Sequence, residues 1–98
     1  MRYKRSRLEI AYDILHFIKK SGNGAKPTHI LYKANLSFPL LEKYLKTLLL
    51  DGLICKIVRN KRVLYKLTRK GINFIEEVKK LDKMTKIIEV FHYRRGIL

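Results

Sequence analysis

Between Gly52 and Thr68 the helical spacing of apolar residues breaks off, and two short β-branched runs, LICKIV and VLYKL, take its place. Cys55 and Ile57 alternate with Lys56 and Val58, and Val63, Tyr65 and Leu67 alternate with Leu64 and Lys66. This is the two-residue period of a strand. Between the runs stand Arg59, Asn60, Lys61 and Arg62, so the pattern predicts a β-hairpin whose four-residue turn carries three cations. Helical patterns lie on both sides, which makes the expected fold α+β, mainly α.

Upstream, Ser6 and Glu9 have the spacing of a capping box. Leu8, Ala11, Tyr12, Ile14, Leu15 and Ile18 recur at three- and four-residue steps, predicting a helix to about Lys20. The sequence SGNG ends it, with Lys19 and Lys20 suited to a helix C-terminus. Pro27 opens a short second helix with Ile30, Leu31 and Ala34 on its apolar side. Asn35 and Leu36 make a turn, and Ser37 caps a third helix running to Asp51. Leu41, Tyr44, Leu45, Leu48 and Leu49 cover one face of that helix, and Gly52 is the expected residue beyond its C-cap. The opposite face presents Phe38, Pro39, Glu42, Lys43 and Lys46, with Glu42 and Lys46 spaced for a local ion pair.

After the hairpin, Thr68 caps a last helix extending to about Tyr93, roughly 37 Å at 1.5 Å per residue. Phe74, Val78, Leu81, Thr85 and Ile88 step 4-3-4-3, the spacing of a coiled-coil seam. Ile75, Met84, Ile87 and Phe91 widen the apolar surface beyond what one small domain covers, so this helix is expected to pack against another chain. The expected organisation is a basic arm (1–5), a core domain (6–68), a dimerisation helix (69–93) and a tail (94–98).

Charge dominates the composition. Twenty-three Lys and Arg face eight Asp and Glu, a net charge of +15 on 98 residues. Residues 1–68 hold 15 basic and 4 acidic side chains, and 69–98 hold 8 and 4. That imbalance points to a polyanionic partner, nucleic acid before an anionic membrane. No run of 18 apolar residues or export signal is present, so a cytoplasmic protein is expected. The absence of Gln and the abundance of Lys, Ile and Leu resemble a thermophile composition. The single Cys55 cannot form an internal disulfide and reads as a buried strand cysteine.

The order helix, helix, turn, helix, hairpin, long helix is that of a winged helix-turn-helix. In that architecture the third helix enters a DNA major groove and the hairpin, or wing, lies along the backbone. The candidate DNA-binding residues are therefore Ser37, Phe38, Lys43 and Lys46 on the third helix, and Lys56, Arg59, Asn60, Lys61 and Arg62 on the wing. Arg2, Lys4 and Arg5 of the arm join them. No acid between Gly52 and Thr68 balances five cations, and neutralising phosphates releases condensed counterions. The third-helix face lacks Arg, Asn and Gln, the bidentate base readers, which predicts affinity dominated by backbone contacts and weak sequence preference.

The segments SRLEIAYDIL, ILYKANLSFPLLEKYLKTLLLDGLI and YKLTRKG resemble the archaeal winged-helix DNA-binding proteins of about ten kilodaltons, first described in Sulfolobus and grouped with chromatin proteins. The resemblance implies a nucleoid-associated homodimer joined through the last helix as an antiparallel coiled coil. Its two heads would stand apart to bridge or stiffen DNA. The wing here is longer and more basic than the family pattern.

A sequence-specific transcriptional regulator is the competing DNA role, and an RNA-binding module is a second class. A protein–protein adaptor would use the seam but leave +15 unexplained. An enzyme is not expected. His16 (placed at a polar helix edge), His29 (near a phosphate) and His92 are far apart, and Glu76 and Glu77 diverge on a helix. No phosphate-cradling glycine loop, metal-ligand spacing, cofactor motif or small-molecule substrate site is recognised.

Overall fold

The computed structural model describes residues 5–81. Three helices, α1 (Arg7–Lys20), α2 (Pro27–Ala34) and α3 (Phe38–Leu50), precede two antiparallel strands, β1 (Ile54–Arg59) and β2 (Arg62–Leu67). A further helix, α4, covers residues 69–81 of the described range. The helix order and the mainly helical class are those expected.

Local chemistry explains each boundary. At α1 the capping box forms: the Ser6 hydroxyl accepts from the Glu9 amide at 3.1 Å, and the Ser6 amide donates to the Glu9 carboxylate at 2.8 Å. Pro27 occupies the first position of α2, where its missing N–H costs no helical bond. Asn35 ends α2 in the left-handed region at φ 55°, a conformation its short amide side chain tolerates. Ser37 caps α3 by accepting from the Leu40 amide at 3.4 Å. Gly52, at φ +73°, turns the chain out of α3 into the wing.

The core is one cluster with members on every element. Ile14, Leu15 and Ile18 of α1 meet Ile30 and Ala34 of α2, Leu41, Leu45 and Leu48 of α3, and Ile54 and Tyr65 of the strands. Ile75 of α4 is fully buried in the same cluster. Its expected place on an unpartnered apolar surface is thus corrected: its own domain covers it. The start of α4 is tied to the end of α3. The Thr68 hydroxyl donates to the Gly52 carbonyl at 2.6 Å and accepts from the Gly71 amide at 3.1 Å. Lys70 Nζ donates to the Asp51 carbonyl at 2.8 Å.

The wing departs from expectation in two ways. Its strands run through Arg59 and Arg62, which pair directly, leaving only Asn60 and Lys61 in the turn. Both have positive φ, 52° and 63°, so the connection is a two-residue type I′ turn whose twist matches that of the strands. The register also sets the inward phase of β1 on Ile54. Ile54, Lys56 and Val58 pair with Leu67, Tyr65 and Val63 and share their face, while Cys55 and Ile57 lie on the other. Cys55 is therefore exposed, not buried, because a shift of one residue exchanges the two faces of a strand. A contact absent from the sequence reading completes the sheet. Ala25 exchanges both backbone hydrogen bonds with Tyr65, at 2.8 and 2.9 Å, flanking β2 on its second edge.

Candidate nucleic-acid interface

The fold places the outer face of α3 beside the wing. Leu41, Leu45 and Leu48 anchor α3 in the core, so at 3.6 residues per turn its opposite stripe is Pro39, Lys43, Lys46 and Leu50. All four side chains are exposed. Phe38 stands at the N-terminal end with 56% of its surface free. Ser37 is exposed, and its oxygen serves the cap, leaving its own proton to donate. Across from α3, Lys56 and Tyr65 line a groove together with Glu42, Lys46 and Leu50. Beyond it the wing projects Arg59, Asn60, Lys61 and Arg62 into solvent.

Among the described residues, the cations on this surface have no ion-pair partner. Ion pairs between described residues are Arg5–Asp13 and Glu77–Lys80, neither of which touches α3 or the wing. The expected Glu42–Lys46 pair does not form, although both line the same groove. Arg59 and Arg62 face each other as a cross-strand pair, a like-charge juxtaposition that costs stability in the absence of an anion.

Arg5 behaves differently from the arm to which the sequence assigned it. Its guanidinium donates to Asp13 at 2.7 Å and to the Ala34 carbonyl at 2.6 Å, fastening the entry to α1 against the end of α2. Both terminal nitrogens of its guanidinium thus bond within the domain. Arg2 and Lys4, like Thr85 and Ile88 of the seam, lie outside the described residues. Within the described part of the seam, Phe74 and Val78 are half-buried and Leu81 is 61% exposed.

Leu50 was missed by the sequence reading. It is 78% exposed, at the C-terminal end of the α3 stripe. Its spacing, seven after Lys43 and four after Lys46, was the available signal, masked by the run LLL at 48–50. Among the histidines, His29 is exposed. His16 stacks on Tyr12 with ring centroids 5.6 Å apart, and its Nδ1 is buried with no hydrogen-bond partner among the described residues. Burial, followed by Lys20, Lys79 and Lys19, holds its pKa below the ordinary histidine value. No described helix is long and apolar enough to cross a membrane.

Comparison with known proteins agrees with the fold. The uncharacterized protein MJ0287 of Methanocaldococcus jannaschii is 46% identical over 55 residues, 56% of this chain and 55% of that protein. The match thus spans about half the length of the curated relative. Among solved structures, Sso10a-2, a DNA-binding protein from Sulfolobus solfataricus, superposes with a TM-score of 0.76 at 22% identity, covering 94% of both chains. MepR, a transcription regulator of the Staphylococcus aureus multidrug efflux pump MepA, does so with 0.73 at 20% identity, over 83% of this chain and 62% of its own. A MepR mutant bound to an oligodeoxyribonucleotide gives 0.69 at 20% identity, with the same coverage. At these identities the structural likeness establishes the fold, and the Sulfolobus match agrees with the resemblance noted in the sequence. The family model for the winged helix-turn-helix matches residues 4–86, nearly the whole chain. With its helix order and paired wing, the chain belongs to the winged helix-turn-helix family.

Proposed function

We propose that this protein binds double-stranded DNA with α3 in the major groove and the wing along the backbone, as an architectural protein of weak sequence preference. The observation that carries the reading is a surface of six exposed cations, Lys43, Lys46, Lys56, Arg59, Lys61 and Arg62, none paired among the described residues. Phosphates would relieve their mutual repulsion and release condensed counterions. Ser37 and the first turn of α3 are placed to hold one phosphate, and Phe38 to touch a sugar or thymine methyl. That Sso10a-2 is a DNA-binding protein and that MepR has been solved with an oligonucleotide supports the same partner.

In this reading the protein is a homodimer joined through residues 69–93, and it is associated with the nucleoid. Leu81, apolar and exposed on the helix that leaves the domain, supports a second chain there. A regulator on a defined operator is the competing role, supported by the likeness to MepR. The deciding experiment measures affinity for several unrelated duplexes of about 30 base pairs over a range of salt. Similar affinities with one steep slope, near −0.9 per phosphate contacted, fit the architectural role. One duplex bound about a thousandfold tighter would fit a regulator. Lys43→Ala with Lys46→Ala lowers the affinity and leaves the oligomeric state intact; unchanged affinity would move the site off α3.

A further inference from the structure

We infer that Glu42 reads a base, accepting a hydrogen bond from the exocyclic amine of a cytosine; the inference rests on the proposed seat of α3 in the major groove. Glu42 is exposed and lines a shallow depression with Pro39, Lys43 and Lys46 on the outer surface of α3. It also lines the groove between α3 and the wing, together with Lys46, Lys56 and Tyr65. A local ion pair with Lys46 would have occupied its charge, but that pair is not formed. Among the described residues its carboxylate has neither a hydrogen bond nor an ion pair. Its field still reaches Tyr65, whose phenol is pushed up by burial first and by Glu42 second.

A lone carboxylate on a surface meant for a polyanion is unfavourable wherever it meets a phosphate or a base acceptor. An ionised carboxylate is an acceptor only. Guanine presents two acceptors in the major groove and thymine one with a methyl group, so both repel or fail to satisfy it. Adenine sets an acceptor beside its amine. Cytosine presents its amine alone, which matches the carboxylate. The flanking Lys43 and Lys46 supply sequence-independent attraction, and Glu42 subtracts from it except where cytosine lies beneath. One read base per head is a weak preference, compatible with broad binding.

The test is selection from a random duplex library, followed by affinities on a panel differing at the enriched position. It uses the full chain and its Glu42→Gln and Glu42→Ala variants, each checked for unchanged thermal unfolding. The wild type enriches cytosine at one position per head. Glu42→Gln moves the enrichment to adenine, since an amide both donates and accepts. Glu42→Ala abolishes it and tightens the weakest duplexes about tenfold, the scale of one mismatched pair. The inference is overturned if both variants keep the wild-type preference. It is equally overturned if the wild type shows no cytosine enrichment while Lys43→Ala with Lys46→Ala still loses affinity, which leaves the placement of α3 standing. A wild type that binds no duplex removes both.

Discussion

Gly71 sits where α4 passes over the strand entry, and a Cβ there would collide with the Leu53 carbonyl oxygen. That oxygen already accepts from the Thr68 amide at 3.1 Å, so it cannot retreat without breaking the junction. Gly71→Ala is expected to cost about 3 kcal/mol, in the upper range of overpacking, measured as the shift in urea midpoint. A loss below about 1 kcal/mol would mean that the junction yields. His16 supplies a pH dependence. Its folded pKa lies below the ordinary value of 6.5, so between the two values the unfolded chain binds more protons. Stability is then full above about pH 6.5 and falls as pH drops toward the folded pKa. Unfolding midpoints at about pH 7.5 and 5.5 should differ, and the difference should shrink in His16→Gln. An equal difference in the variant would assign the acid sensitivity elsewhere. In the sequence His16 falls at a polar edge of α1; the i,i+4 spacing sets Tyr12 beside it, but no spacing within α1 shows that Lys79 of α4 lies near.

At the scale of elements, the helices were legible and the wing only partly so. Capping box, Pro27, Asn35 and Gly52 are local signals, readable because a cap involves neighbours in sequence. A type I′ turn is normally announced by Asn-Gly. Here Asn60 is followed by Lys61, so the turn looked two residues longer than it is. Lysine at φ 63° costs about 1 kcal/mol relative to glycine. Keeping a cation there despite that cost fits a tip that contacts phosphate. Lys61→Gly should therefore raise stability by about 1 kcal/mol and weaken DNA binding, lowering the salt slope by about one. Undiminished affinity together with an unchanged slope would remove Lys61 from the interface. Cys55 was misplaced because alternation gives the period of a strand but not its phase. The phase came from Ile54 entering the core and from pairing with Tyr65 and Leu67.

For the whole molecule, the question is how two basic heads act together. If residues 69–93 join two chains, two heads on one duplex gain effective concentration, and avidity can exceed single-site affinity by about a hundredfold. Val78→Glu with Leu81→Glu should then yield a folded monomer in sedimentation and lower DNA affinity by about that factor. A wild type that already sediments as a monomer would refute the arrangement. The sequence by itself determined the helices, the existence of the wing and the excess of positive charge, because spacing, caps and composition act within a few residues. Only the tertiary structure decided which charges stay unpaired: Arg5 is drawn to Asp13 and the end of α2, while Glu42 is left apart from Lys46. It also brought Ala25 to Tyr65 and closed the core over Ile75. These outcomes depend on contacts between residues distant in sequence, or on rotamer geometry that spacing does not fix.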